Sequence, residues 1–282
     1  MPELPEVETV VRDLRAERLV GRTIRQVAVH WPATVGGGSV SGFRGQLAAR
    51  TIRQIARRGK YIIMALSDGW TLLVHLRMTG QIRLATPSDI REKHEHLVLT
   101  LDDGRQIRYR DTRKFGRWQL VRDVSGHLAR LGPEPLSPEF TVRRLREAMS
   151  RRSGMLKPLL LNQRILAGLG NIYVDEALWE AGLHPMRSAA SLTACDYRRL
   201  HAAIRLVLRR GIRARGTTLG YGKTNFRGLR ERAGSNWRNL RVFRRTGEPC
   251  LRCGAKIERL RVAQRSSHVC PECQRVREGA KP

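Results

Sequence analysis

Acidic residues are scarce in this chain. Only 25 Asp and Glu stand against 54 Lys and Arg, which leaves a net charge of +29 and a sequence pI near 11.5. That deficit makes polyanions the natural partners. Long apolar runs are also missing: nothing approaches the roughly 20 residues of a membrane span, and no secretory pattern opens the sequence, so we expect an intracellular, cytoplasmic protein with no membrane partner. Cysteine is sparse, with five residues, which fits that compartment. Cys195 stands alone and reads as a small buried residue, whereas the other four cluster at the C-terminal end.

The basic residues that are present do not form a tail. They recur at 12–25, 44–60, 105–117, 143–152, 198–215 and 227–245, the pattern of a basic face on a folded body. Arginine dominates, and its rigid fork suits phosphate contacts whose strength falls with salt. With 282 residues, 41% of them hydrophobic, the chain is long enough for two packed domains.

The N-terminal octet Met1-Pro2-Glu3-Leu4-Pro5-Glu6-Val7-Glu8 carries the sharpest chemical signal. Removal of Met1 would expose a proline amine beside a carboxylate. Such an amine is far less basic than a lysine, at a pKa of roughly 8, so a useful fraction can attack an electrophilic carbon and form an iminium. Pro2 is then a candidate nucleophile and Glu3 its acid/base partner. The plainer alternative is that the prolines start a helix and the glutamates complement its dipole.

Residues 5–19 carry a helical stripe at Val7, Val10, Val11 and Leu14, with Gly21 beyond the end. Short strand patterns follow at 24–29, 47–55, 61–66, 71–76, 82–84, 96–101, 106–110 and 118–121, with Asp68-Gly69 and Asp103-Gly104 as hairpin turns. About eight such strands predict a β-sandwich or barrel over residues 1–131. Gly132 to Pro138 holds three prolines and reads as an interdomain linker. Helical patterns at 138–149, 155–165, 171–181 and 194–210 place a helical domain at 139–240, the last helix capped by Ser191 or Thr193. Within it, the glycine-rich stretch 216–238 is expected to be a long mobile loop. His94 and His96 alternate as on a strand face and read as structural rather than as a metal site.

Cys250-x2-Cys253 and Cys270-x2-Cys273 are separated by sixteen residues, the spacing of a zinc ribbon over residues 241–282. Four thiolates leave no open position, so one structural Zn2+ is expected, with no organic cofactor. Lys256, Arg259, Arg261 and Arg265 would lie on the intervening hairpin, where a basic loop can grip a phosphate backbone. Gly168-Leu169-Gly170-Asn171-Ile172-Tyr173 opens a helix, and its glycines and free N–H groups would let a phosphate approach.

Taken together, these segments resemble the formamidopyrimidine-DNA glycosylases, base-excision repair enzymes for oxidised purines. The likeness spans nearly the whole chain and rests on Pro2 to Thr9, Arg58-Gly59-Lys60-Tyr61, His75-Leu76-Arg77-Met78-Thr79-Gly80, Asp111-Thr112-Arg113-Lys114-Phe115-Gly116, Gly168 to Tyr173, and the finger with Gln264-Arg265. It implies an α+β multidomain fold: an N-terminal β-sandwich with an N-terminal helix, then a helix-two-turn-helix domain plus a zinc-ribbon finger. The partner implied is double-stranded DNA with damaged bases, bound in the cleft between the domains by a monomer and giving the protein a nucleoid-associated location.

By the same resemblance, Pro2 attacks C1′ to form a Schiff base, Glu3 moves protons, and β- then δ-elimination cuts the strand. Lys60 would donate the proton in β-elimination and contact the lesion phosphate or sugar. Arg265 would do the same in δ-elimination, and Glu6 would support the nucleophile. His96, Arg113, Lys114, Lys157 and Asn171 are implied DNA contacts, and Met78, Arg113 and Phe115 would fill the space left by the flipped base. Three features depart from the family: Lys114 where arginine is frequent, Asn162 where aspartate is common, and the stretch 216–238, where the family places a flexible cover over the flipped base. Two rival readings remain, an endonuclease VIII-like glycosylase for oxidised pyrimidines and a non-catalytic zinc-ribbon DNA-binding protein. Leu4 and the 75–80 motif favour the purine branch, and a free Pro2 amine beside Glu3 would serve no purpose in a mere binder.

Overall fold

The computed structural model describes residues 1–220 and 225–275. It divides into two compact units, one made of Met1–Ala129 and Ile212–Trp237, the other of Arg130–Gly211 and the chain from Arg238 onward.

The first unit opens with helix α1 (Leu4–Ala16), which starts where a capping box dictates: Glu3 is the N-cap, Glu6 is N3, and Pro5 sits in the first turn. Its predicted stripe is the buried one, with Val7, Val10, Val11 and Leu14 each at most 1% exposed. Strands and a helix follow as β1 (Ile24–Val29), α2 (Val40–Leu47), β2 (Ile52–Arg58), β3 (Tyr61–Leu66), β4 (Thr71–His75), β5 (Gln81–Ala85), β6 (Glu95–Leu101), β7 (Gln106–Arg110), β8 (Arg117–Val121) and a short α3 (Val124–Leu128). The strands pair antiparallel in two four-stranded sheets, ordered β1-β6-β7-β5 and β2-β3-β4-β8. The alternating residues Ile62, Met64, Leu72, Val74, Leu97, Leu99, Ile107, Tyr109 and Trp118 fill the core of this sandwich, joined by the α1 stripe. Asp68 and Gly69 both take left-handed angles (φ 55° and 72°) between β3 and β4, as a tight hairpin requires.

One expected strand is corrected. The 47–55 segment divides, because Leu47 ends α2 and pairing begins only at Ile52. Gly42 and Gly45 hide α2 from a propensity reading, yet burial of Phe43 and Leu47 and the Ser39 cap on Gly42 N–H (3.0 Å) hold it.

The stretch 216–238 differs most from expectation. Its described arms, 216–220 and 225–238, belong largely to the first unit rather than to the helical domain, and they are anchored. Phe226 and Leu229 join the sandwich core, and the Leu84 N–H donates to the Leu229 carbonyl (3.2 Å). Arg230 forks onto Glu17 (2.5 and 2.7 Å) and Arg215 pairs with Asp13 (2.6 Å), both acids lying at or just past the C-terminal half of α1. The part of the expected mobile loop at 221–224 lies outside the described residues.

The second unit holds α4 (Val142–Met149), α5 (Leu156–Leu161), α6 (Asn171–Ala181) and most of α7 (Ala194–Arg213). Thr193 caps α7, its hydroxyl accepting from Asp196 N–H while Asp196 accepts from Thr193 N–H. Residues 132–138, expected as the interdomain linker, are strapped to this unit: Arg205 donates to the carbonyls of Pro135 and Ser137, and Gly132 lies so close to Ile165 that a Cβ there would sit 2.6 Å from its carbonyl. The chain then ends in a finger whose hairpin is β9 (Glu258–Val262) and β10 (Arg265–Val269). No helix among the described residues is long and apolar enough to cross a membrane.

Candidate active site and nucleic-acid interface

In the first unit, Pro2, Glu3 and Glu6 are all buried at the start of α1, with Glu3 at 2% and Glu6 at 1% exposure. The Glu6 carboxylate reaches in two directions. One oxygen accepts the Glu3 N–H (2.9 Å) and the other the Thr217 N–H (2.8 Å), so the residue after the candidate nucleophile is tied to the root of the 216–238 stretch. Gly216 makes that approach possible: it has φ 82°, and a Cβ would press on Glu6 at 3.0 Å and on Phe226 at 2.9 Å.

Lys60 sits in the two-residue turn between β2 and β3, preceded by Gly59 at φ 55°. Arg57 fastens this turn to α1 by donating to Glu8 (3.0 Å) and to the Gly59 carbonyl (3.1 Å). Lys60 as a whole is largely buried, at 7% exposure. Its charge is felt by His75, which pairs with Tyr61 across β3 and β4. Burial, then Arg77, then Lys60 push the His75 imidazole down to about 3, so it is neutral at physiological pH. Nδ1 accepts the Arg77 N–H (3.1 Å), which leaves the proton on Nε2.

Two adjacent turns carry the expected intercalating side chains. Met78 (40% exposed) follows Arg77, and Phe115 (47%) follows Lys114; Arg77 and Lys114 are both left-handed, at φ 55° and 60°. Arg113 bridges the pair, with Nη1 2.9 Å from Met78 Sδ and its guanidinium 4.8 Å from the centre of the Phe115 ring. The exposed Lys114 places its ammonium 3.8 Å over Trp31. His96, expected as a DNA contact, is 6% exposed, and its Nε2 bonds the Asp111 carbonyl (2.7 Å).

In the second unit, Asn171 begins α6 after a turn organised by Gln163, whose side chain accepts from Gly168 N–H and donates to the Leu161 and Leu169 carbonyls. Asn171 Nδ2 donates to the Ser266 carbonyl (3.1 Å), one residue from Arg265 at the exposed hairpin tip. Lys157, also expected as a DNA contact, is fully buried, and its ammonium braces the hairpin through Asp175 (2.6 Å) and the Ser266 carbonyl (2.7 Å). At position 162, where aspartate is common, Asn162 Oδ1 accepts the Arg164 N–H (3.0 Å), a bond that either residue can make.

Sequence reasoning missed two acids on α6. Asp175 accepts from Lys157, the Ser267 hydroxyl and the His268 N–H, and Glu176 takes the N–H groups of 241, 242 and 243 (2.8 to 3.0 Å). Burial pushes the Glu176 carboxyl up against the opposing pull of those three donors. Nothing in a local pattern distinguishes such buried acids from surface ones.

The finger sulfurs of Cys250, Cys253, Cys270 and Cys273 lie within 4.8 Å of one another. Burial and neighbouring thiols raise Cys273 and Cys270, whereas the backbone N–H groups of Arg252 and Cys253 outweigh burial and bring Cys250 down to about 6. Four thiolates this close need a cation, and a tetrahedral sulfur set is what Zn2+ takes. Trp179 of α6 packs beneath the site with Val242 and Ile257, and Arg252 stacks on its indole at 4.1 Å.

Comparison with known proteins agrees with this geometry. Residues 1–118 match the formamidopyrimidine-DNA glycosylase N-terminal domain, 131–222 its H2TH domain, and 247–276 the zinc finger found in FPG and IleRS. The formamidopyrimidine-DNA glycosylase of Herpetosiphon aurantiacus is 50% identical over 278 residues, covering 97% of this chain and all of that protein. That of Protochlamydia amoebophila is 47% identical over 275 residues, covering 98% of this chain and all of the relative. A solved complex of a Lactococcus lactis FPG point mutant with Fapy-dG-containing DNA superposes with a TM-score of 0.90 at 38% identity, covering 98% of this chain and all of that one. On domain content, full-length similarity and fold alike, the chain belongs to the formamidopyrimidine-DNA glycosylase family.

Proposed function

We propose that this protein is a bifunctional DNA glycosylase and abasic-site lyase that removes oxidised purines, 8-oxoguanine and formamidopyrimidines, from double-stranded DNA. The observation that carries the reading is the buried start of α1, where Pro2 precedes Glu3 and the Glu6 carboxylate accepts the N–H groups of Glu3 and Thr217. With Met1 removed, the Pro2 nitrogen attacks C1′ and the glycosidic bond breaks, the base leaving with the bonding pair and a proton. Glu3 protonates the ring oxygen as the sugar opens, giving an iminium. That cation is the electron sink that acidifies the C2′ proton, whose removal expels the 3′ phosphate by β-elimination. A second elimination expels the 5′ phosphate. Lys60, fixed by Arg57 near α1, is the proton donor for the first elimination, and Arg265 on the hairpin tip for the second.

Arg113, Lys114, Asn171 and Arg265 serve as contacts to DNA, and Met78, Arg113 and Phe115 as the wedge that occupies the vacated stack. The exposure of Met78, Arg113, Lys114, Phe115 and Arg265 beside buried, strongly hydrogen-bonded neighbours supports that role, as does the Fapy-dG DNA held by the Lactococcus lactis relative. One Zn2+ on Cys250, Cys253, Cys270 and Cys273 keeps the hairpin folded and takes no part in the chemistry. A DNA substrate and a strongly basic chain fit a monomer at work on the nucleoid in the cytoplasm.

Borohydride trapping tests the mechanism on a duplex carrying 8-oxoguanine opposite cytosine. A covalent adduct mapped to Pro2 and sharply reduced by Glu3→Gln is expected. No adduct from protein with a verified Pro2 terminus would overturn the reading, and an adduct formed only on an oxidised-pyrimidine duplex would move the protein to the endonuclease VIII-like branch.

A further inference from the structure

Beneath the two wedge turns lies a carboxylate that the proposed chemistry does not use. Asp111 is fully buried, and its two oxygens collect four neutral donors. Oδ1 accepts from the Thr79 hydroxyl (2.5 Å) and the Arg113 N–H (3.2 Å); Oδ2 accepts from the Tyr109 hydroxyl (2.9 Å) and the Gly116 N–H (2.8 Å). Thr79 belongs to the Met78 turn, and Arg113 and Gly116 to the Phe115 turn. The Thr79 oxygen also accepts the Arg113 N–H directly (3.2 Å), so it is itself a bridge between the turns.

The packing leaves no slack around this junction. The Tyr109 hydroxyl lies against both Gly80 and Gly116: a Cβ would come within 2.7 Å of it at the first and 1.6 Å at the second. Burial, then the charge and hydrogen bond of Asp111, push the Tyr109 phenol up, so it stays a donor. From below, His96 holds the Asp111 backbone carbonyl (2.7 Å). Left-handed angles at Arg77 and Lys114 are strained for residues with side chains and persist only where the surroundings over-determine them, which this network does.

We propose that Thr79 and Asp111 are positioning residues that fasten the Met78 turn to the Arg113–Phe115 turn, so that the three exposed side chains enter a duplex as one preassembled wedge. The inference rests on the wedge role given under Proposed function. Locked turns arrive with their entropy already lost, whereas independent turns would have to be ordered at the moment of insertion. A single strand has no stack to fill and gains nothing from the lock.

The test compares cleavage at an abasic site in a duplex with cleavage of the same site in a single-stranded oligonucleotide, using the zinc-loaded full chain. The ratio of the two rates is independent of the fraction of active protein, so a merely structural loss does not move it. Thr79→Val is expected to lower the duplex-to-single-strand ratio about tenfold, the scale of one hydrogen bond to a charged group. Thr79→Ser, which keeps the hydroxyl, should restore the ratio, and Asp111→Asn should lower it. Met78→Ala reports on the wedge itself. If it lowers the ratio while Thr79→Val does not, the wedge stands and the tether is overturned; if Met78→Ala leaves the ratio unchanged, both fall. Equal losses on duplex and single strand in Thr79→Val would also overturn the tether, marking Thr79 as a fold residue only.

Discussion

The Met78 and Phe115 turns of the first unit and the hairpin tip of the second solve one problem with opposite electrostatics. Each displays basic side chains on a turn with non-glycine left-handed residues, Arg77 and Lys114 in one, Ala263 and Gln264 (φ 44° and 67°) in the other. Each turn is secured by a buried aspartate. Asp111 gathers hydroxyl and backbone N–H donors, none of them charged. Asp175 instead holds the Lys157 ammonium at 2.6 Å and faces His268 Nδ1 at 3.1 Å, beside a thiolate cluster suited to zinc. A hydroxyl network fixes geometry and loses little when one member goes. A buried ion pair tolerates no vacancy, because the charge left behind has been taken out of water.

Zinc removal breaks the comparison most severely. Chelation should cost about 10 kcal/mol of apparent folding free energy in the finger and abolish tight duplex binding, followed by fluorescence anisotropy, while the β-sheet circular dichroism of the first unit persists. Next in size, Lys157→Met should destabilise the second unit by about 3–5 kcal/mol, because it strips the ammonium from a buried carboxylate. Tyr109→Phe, the matching loss of one hydrogen bond at Asp111, should cost about 1.5–3 kcal/mol, so parallel thermal unfolding of the two variants measures the contrast directly.

The smallest expected effect is one of pH. His75 has its folded value near 3, below the ordinary 6.5, so the unfolded chain takes up a proton on acidification before the native one does. Stability is therefore lost as pH falls below 6.5 and continues to fall towards 3, by about 1 kcal/mol between pH 7 and 5.5. Urea midpoints at those two pH values should show this difference in the wild type and less of it in His75→Gln. An equal slope in both would place the acid sensitivity elsewhere.

Much of this molecule was legible before its structure. The α1 stripe, most of the strands and both cysteine knuckles are local patterns whose period or spacing already states their geometry. Local reasoning failed where a long-range contact overrode it. Gly42 and Gly45 concealed α2, and the glycines of 216–238 suggested looseness although Phe226, Leu229, Arg215 and Arg230 pin its described arms to the first unit. A lysine reads as surface until an aspartate eighteen residues on is found to bury it, as happens at Lys157.

The amino-acid order by itself determined the chemistry on offer: a proline amine beside a carboxylate, four thiolates at metal spacing and a large excess of arginine. Only the tertiary structure decided which polar groups would stay exposed and which would hold the others still. Asp111 and Asp175 are indistinguishable from surface acids in one dimension, because burial and hydrogen-bond partners belong to elements brought together by folding and not to neighbours in the chain.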